Sequence, residues 1–366
     1  MSYSLVISGA GTGGHLFPAL AVLEELRCRD ERPERVICLT SNRAIEQTIL
    51  AGASIEQVQL PSFDSVTARR SPVKSMRALA ASVRQADLLL KSLHRPVLIS
   101  MGGAGSLPGA IAAWRNRIPL ILLEQNAVAG RATSVVSPLA TKICFSYPDT
   151  GWVLGGREKG ILTGNPVRKE IARLADQQHL PDRRGLLILG GSQGARILNQ
   201  SMERFVQQYS SQLAGWRIFH QAGESSFRHT QSVYDQAGLT ADCVPFFNNM
   251  ADIYQQTGLV ISRAGGTSLA ELACAGLPSL LVPYPRSIRR HQERNAKYFE
   301  ARDAAVSLDQ LKGDFDGRFC ETLNLLLEDR ERRRIMAQNM KACGRPNAAR
   351  DIADLICQTL NMHAVK

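Results

Sequence analysis

"LVISGAGTGGHLFPALAVLEEL", Leu5 to Leu26, reads as an apolar strand, a glycine-rich turn and a helix. Gly9, Gly11 and Gly14 satisfy G-x-G-x-x-G, the spacing of a dinucleotide-binding loop. That reading needs an acid after the second strand to hold the ribose hydroxyls. The second strand ends "CLTSNR", without one; Ser41 and Arg43 leave a 2′-phosphate open, but no hydride-transfer site follows. Helix physics offers a second reading. Glycines let backbone N–H groups approach an anion without hindrance from Cβ, and a helix start adds unpaired donors and partial positive charge. His15 follows the last glycine at once, where an imidazole can act as a base on a hydroxyl.

The pattern then begins again. "GLLILGGSQGARILNQSM", Gly185 to Met202, is a second strand, glycine turn and helix. Before it come the strand-like runs "RVICLT", "IEQVQL", "PVLIS", "PLILLE" and "KICFS", with helical stretches at Leu16–Arg29, Pro72–Leu93 and Leu107–Arg117. After it come "WRIFHQAG", "CVPFF", "GLVISRAGG" and "PSLLVPY". Apolar strands alternating with helices make parallel β–α units covered on both faces. Two openings in one chain therefore predict an α/β protein of two Rossmann-like domains. Gly and Pro interrupt the pattern between Leu162 and Ile171, so the domains are expected at 1–164 and 165–348. A C-terminal helix, 349–366, could pack back on the first domain. Ligands in such sheets sit beyond the carboxyl ends of the strands, so two facing sheets predict a cleft for two separately bound substrates.

Composition narrows the partners. The chain has 366 residues, 44% of them hydrophobic, enough for two cores. No run of about 18 apolar residues appears. The N-terminal "MSYSLVIS" lacks the basic and long apolar regions of a signal peptide, so a cytosolic protein is expected. The eight cysteines are scattered, form no C-x-x-C pair and read as reduced, mostly buried thiols rather than metal ligands. The net charge is +11. Eleven lysines and arginines lie between Val66 and Lys142, against Asp87 and Glu124. That zone suits an anionic partner, or is a solvated basic face. Nucleic acid is not expected, since stacking aromatics are sparse there and Trp114 is the main one.

Three further stretches carry chemistry. In "GGSQGA", Gly190–Ala195, Ser192 can bond a phosphate or cap the helix, and Gln193 can reach a polar ligand. In "SRAGGTSLAELACAGLP", Ser262–Pro278, residues Gly265 to Ser268 offer amides and hydroxyls at a helix start. Glu271 lies a turn further on, where a carboxylate can accept both hydroxyls of a ribose or merely complement the helix dipole. In "RRHQERNA", Arg289–Ala296, Gln292 and Asn295 are polar candidates for a sugar.

Taken in order, "GTGGHLFPALAV", "EQNAVAGRAT", "TGNPVR", "GGSQGARILNQ", "SRAGGTSLAEL", "AGLPSLLVPY" and "HQERNA" resemble the MurG family of peptidoglycan N-acetylglucosaminyltransferases, over nearly the whole chain. The resemblance implies the GT-B fold and inverting transfer of N-acetylglucosamine from UDP-N-acetylglucosamine to the muramoyl C4 hydroxyl of lipid I, giving lipid II. It implies no cofactor and no metal, and a peripheral place on the cytoplasmic side of the cell membrane. By motif, Thr12, Gly13 and Gly14 lie at the donor and acceptor phosphates and His15 is the catalytic base. Asn126 reaches the donor sugar or the acceptor, and Arg168, Ser192 and Gln193 lie on the donor side. Gly266, Thr267, Ser268, Leu269, Ala270 and Glu271 hold the nucleotide, and Gln292 contacts the sugar. Gly102, Gly103 and Ser106 lie on the acceptor side. Two stretches depart from the family. "GGAGSLPG", Gly102 to Gly109, stands where "GGYVSGPG" is usual, and "SFDSVTARRSP", Ser62 to Pro72, replaces a "GLRGK"-like loop. A UDP-N-acetylglucosamine transferase or epimerase with another acceptor is the alternative. The helix "SPVKSMRALAASVRQADLLL" mixes Lys74, Arg77 and Arg84 with Met76, Leu79 and Val83, a composition that suits an anionic lipid surface.

Overall fold

The computed structural model describes residues 2–9, 13–41, 46–47, 50, 52–61, 71–150, 156–177, 183–191 and 194–364. Contacts divide the chain into two compact units, Met1–Arg168 with Asn347–Lys366, and Lys169–Pro346. The sequence pattern put the change at 164/165; the contacts put it four residues later and assign the C-terminal segment to the first unit.

The first unit holds β1 (Tyr3–Ser8), β2 (Pro33–Thr40), β3 (Glu56–Gln59), β4 (Pro96–Ser100), β5 (Leu120–Glu124), β6 (Lys142–Phe145) and β7 (Gly160–Leu162). They form one sheet in the order β3-β2-β1-β4-β5-β6-β7, every pair parallel. The helices α1 (Gly13–Arg27), α2 (Pro72–Lys91), α3 (Leu107–Arg115) and α4 (Arg131–Val136) follow β1, β3, β4 and β5. Leu5 and Ile7 pack with Leu16, Val22 and Leu23 of α1 and with Ile352 and Ile356 of the C-terminal helix, Ala348–Ala364. Val6, between them, joins Ala86 and Leu90 of α2 and Ala113 of α3 on the opposite face. Both faces are covered, which is why "LVIS" shows no polar alternation. Arg29 pins the C-terminal helix further, with an ion pair to Asp354 at 2.6 Å and a bond to the Arg350 carbonyl.

The second unit repeats the plan with β8 (Gly185–Leu189), β9 (Arg217–Gln221), β10 (Ala241–Val244), β11 (Leu259–Ser262), β12 (Ser279–Leu281) and β13 (Ala305–Ser307). Its order is β10-β9-β8-β11-β12-β13, again all parallel. The helices α5 (Arg196–Tyr209), α6 (Met250–Gln256), α7 (Gly266–Ala275) and α8 (His291–Glu300) carry the residues of interest. Leu186 and Ile188 pack with Leu198, Met202 and Phe205 of α5 and with Phe319 and Leu323 of the helix Phe315–Glu328. α7 stops at Gly276, whose left-handed backbone (φ +64°) lets its N–H reach back to the carbonyls of Leu272 and Ala273.

In both sheets the strand order reverses beside the first strand, between β1 and β4 and between β8 and β11. Ligands of open parallel sheets bind at that reversal, beyond the carboxyl ends of the strands. Register keeps those ends level: Ser8 pairs with Ser100, and Leu189 with Ser262 and Gln221.

Candidate functional site

At the carboxyl edge of the first sheet two glycine turns are pressed together. A Cβ on Gly9 (φ +93°) would lie 2.3 Å from the Gly102 carbonyl oxygen and 2.9 Å from Ser106 Cβ. Only glycine permits that backbone and that approach. Met101 N–H donates to the Ser8 carbonyl at 2.8 Å, so the two turns leave the sheet side by side. Ser106 is buried and its Oγ donates to the Gly103 carbonyl at 2.8 Å, closing the second turn on itself.

His15, on the first turn of α1, is half-buried. Its Cε1 and Nδ1 lie 3.6 and 3.9 Å from where a Gly103 Cβ would be, so the imidazole stands over the second glycine turn. Gly14 beside it is exposed. Two residues on, the Phe17 ring carries the Arg168 guanidinium at 5.1 Å, within cation–π range. The sheet edge thus brings together His15, Gly102, Gly103 and Ser106, and the ring stack sets Arg168 beside the same helix.

Asn126 follows β5. Its N–H and Nδ2 donate to Glu124 Oε1 at 3.0 and 3.2 Å, and the Gly130 N–H donates to Glu124 Oε2 at 3.1 Å. Thr150 Oγ1 donates to the carbonyls of Asn126 and Ala127. Glu124 is buried, and burial pushes its carboxyl above the ordinary value against the pull of the Gly130, Asn126 and Thr133 donors. Glu124 is therefore the brace that shapes the Asn126 turn, a role invisible in "EQNA" because it depends on where the chain turns next.

Thr12, Ser192 and Gln193 lie outside the described residues, as does most of the stretch Ser62 to Pro72. Around Ser192 and Gln193 the frame is clear. A Cβ on Gly194 (φ +73°) would meet the Ala222 carbonyl oxygen at 2.2 Å. Gln221, the last residue of β9, is buried; its Nε2 donates to the Gly191 carbonyl at 2.9 Å and its Oε1 accepts from Phe247 N–H at 3.1 Å. One amide thus ties the glycine turn to the loop before α6. Behind it, His220 is fully buried between Tyr234 Oη (2.8 Å) and Asn199 Oδ1 (3.0 Å), and burial pushes its pKa down to about 3.

α7 starts at Gly266, directly after the Arg263–Gly265 turn. Arg263 bonds the carbonyls of Val282 and Pro283 and Gln310 Oε1, the last at 2.6 Å, and burial lowers its pKa to about 10. Gly266 and Leu269 are buried and Thr267, Ser268 and Ala270 half-buried along the first turns. Glu271 is buried at the second turn, with Oε2 accepting from Tyr254 Oη at 2.9 Å. Gln292, on the first turn of α8, is half-buried, and its Oε1 accepts from Tyr284 N–H at 2.9 Å. Asn295, read from the sequence as a sugar contact, is instead fully buried with Nδ2 on the Ala264 carbonyl at 3.0 Å. It braces the loop before α7 rather than facing a ligand.

The lipid-facing reading of α2 also needs correction. Val83 is only 7% exposed and packs inward, whereas Val73, Met76 and Leu88 are 61%, 72% and 62% exposed. The outward apolar set is these three, with Trp114 of α3 also exposed. No described helix is long and apolar enough to cross a membrane, and among the described residues no three His, Cys, Asp or Glu side chains gather as metal ligands would.

Residues 5–145 match the Glycosyltransferase family 28 N-terminal domain, and residues 185–356 match the Glycosyltransferase family 28 C-terminal domain. A protein of Stutzerimonas stutzeri (strain A1501) is 36% identical over 358 residues, covering 97% of this chain and 98% of that one. It is named UDP-N-acetylglucosamine--N-acetylmuramyl-(pentapeptide) pyrophosphoryl-undecaprenol N-acetylglucosamine transferase. The crystal structure of Acinetobacter baumannii MurG superposes with a TM-score of 0.76 at 29% identity, over 97% of this chain and 99% of that one. A UDP-GlcNAc 2-epimerase from Neisseria meningitidis, bound to UDP-GlcNAc, has a TM-score of 0.70 at 14% identity, over 98% of this chain and all of that one. The epimerase shares the fold alone.

Proposed function

The chain belongs to the MurG family, and from that premise we propose that it transfers N-acetylglucosamine from UDP-N-acetylglucosamine to lipid I, with inversion, to give lipid II. The observation that carries the reading is His15 standing over the Gly102–Gly103 turn at the strand reversal of the first sheet. An imidazole there can take the proton of the attacking muramoyl C4 hydroxyl while glycine amides face the acceptor's diphosphate. Displacement at the anomeric carbon in one step inverts it. The amides at the start of α7 and the Arg168 guanidinium oppose the negative charge that grows on the departing UDP. Thr12, Gly13, Gly14 and Ser192 are assigned to phosphates, Gln193 to a polar group of the donor, Asn126 to the donor sugar or the acceptor, Gln292 to the sugar, and Glu271 to the ribose.

Transfer of radiolabelled sugar from UDP-N-acetylglucosamine to lipid I, set against soluble hydroxyl acceptors, tests the reading. The expected product is a lipid-soluble disaccharide. Label appearing only on another acceptor, or as an epimerised nucleotide sugar, overturns it.

The first unit is further assigned to the cytoplasmic membrane surface through α2. Val73, Met76 and Leu88 stand exposed there among Lys74, Arg77 and Arg84. Binding to anionic vesicles is expected to weaken with salt and on neutralising the three basic residues. Salt-insensitive binding counts against the assignment.

A further inference from the structure

We propose that Tyr254 is a positioning residue for the nucleotide, holding the Glu271 carboxylate in the orientation that receives the ribose hydroxyls. The proposal rests on the assignment of Glu271 to the ribose.

The two residues come from successive helices. Tyr254 is on α6 and Glu271 on the second turn of α7. Tyr254 is 1% exposed, and its Oη donates to Glu271 Oε2 at 2.9 Å in a buried bond. A glutamate has three rotatable bonds, and ordering its side chain costs conformational entropy. A tyrosine ring packed on all sides has little freedom left, and its hydroxyl marks a fixed point. Anchoring Oε2 at that point sets the plane of the carboxylate before a ligand arrives. An ionised carboxylate offers about four lone-pair sites, and the phenol takes one on Oε2. A vicinal diol donates two hydrogen bonds and binds more tightly to a carboxylate whose plane is already fixed.

The support behind Tyr254 reaches the rest of the same edge. α6 begins just after the loop whose Phe247 N–H is held by Gln221, the residue that also holds the Gly191 carbonyl. The hydroxyl thus belongs to a helix whose entry is tied to the glycine turn. A phenylalanine at 254 keeps the ring and its packing but removes the donor. Glu271 then keeps its charge and loses the Tyr254 donor, and a ligand that uses the diol meets a less ordered carboxylate.

The test compares UDP with 2′,3′-dideoxy-UDP by calorimetry on the full chain. Wild type is expected to prefer UDP by at least tenfold. Tyr254→Phe should weaken UDP about 5- to 20-fold and change dideoxy-UDP less than 2-fold, so that the preference shrinks. Equal weakening of both nucleotides marks a merely structural role and overturns the proposal, as does an unchanged preference. Glu271→Gln separates the two claims. If it leaves the preference intact, the ribose assignment itself fails. If it abolishes the preference and Tyr254→Phe does not, only the role of Tyr254 fails. In the double variant, Tyr254→Phe should add nothing to the loss caused by Glu271→Gln; additive losses overturn the proposal. Should Tyr254→Phe prove too unstable to titrate, replacing Tyr254 by 4-fluorophenylalanine, which fills the space of the hydroxyl without a donor, decides. A preference between those of wild type and Glu271→Gln supports the role, and a wild-type preference overturns it.

Discussion

Each unit places one histidine near a glycine turn, and the two are used in opposite ways. His15 is half-buried over Gly103, at the open edge of its sheet. His220 is sealed between Tyr234 and Asn199, one residue before the amide that ties down Gly191, and its pKa is pushed down to about 3. The same side chain is the proposed base where it stands half-open and a neutral strut where it is sealed. The edges differ likewise in their second tier. Behind Asn126 stands a buried carboxylate, Glu124, that organises a turn; at α7 the buried carboxylate, Glu271, is itself the proposed contact. One plan, a parallel sheet with glycine turns at its reversal, thus occurs in both halves, and the proposed function assigns chemistry to one and nucleotide binding to the other.

Four substitutions test that division. His15→Ala is expected to cut kcat about 10²- to 10⁴-fold while UDP-N-acetylglucosamine affinity changes little. Steady-state kinetics beside nucleotide titration reads both, and near-normal turnover removes His15 as the base. Gly9→Ala and Gly194→Ala should fail alike, since each places a Cβ within 2.3 Å of a carbonyl oxygen on a left-handed backbone. A loss of about 2–4 kcal/mol in denaturant unfolding is expected at both, and a tolerated alanine at either breaks the equivalence of the two turns. Glu271→Ala should weaken the donor about 10- to 100-fold with a smaller effect on kcat, the opposite signature to His15→Ala. Unchanged nucleotide affinity ends the ribose assignment.

The smallest effect concerns His220. Its folded pKa is depressed from 6.5 to about 3, so the unfolded chain binds a proton that the fold refuses between those values. The stability due to neutral His220 is present above pH 6.5 and lost as pH falls towards 3, by up to about 1.4 kcal/mol per pH unit. His220→Asn should flatten the acid limb of a melting curve relative to wild type. An identical limb in both proteins contradicts the sealed, neutral strut.

The doubly covered sheets were legible in sequence because covered strands write themselves as unbroken apolar runs, as "LVIS" and "GLLIL" do. β7, "GIL", and β13, "AVS", were not, because three residues at a sheet edge carry no pattern of their own. Glycine turns and His15 are also local signals. Tyr254 and Gln221 are not: each acts on a partner chosen by strand register or helix packing, seventeen residues away for Tyr254 and thirty for Gln221. Val83 and Asn295 show the converse error. Their types allow a ligand-facing role, and the neighbouring helix or loop, which sequence spacing does not encode, turned them inward.

The return of the last helix to the first sheet has a consequence for biosynthesis. Ile352, Ala353 and Ile356 complete the core begun by Leu5 and Ile7, so the second unit interrupts the first in the order of translation. On the ribosome, residues 169–346 have emerged in full before the opening strands receive their final cover. The second unit can fold while the half that holds His15 still waits for Ile352, Ala353 and Ile356. A premature stop near residue 346 therefore leaves the last-made unit whole and the first-made one unfinished.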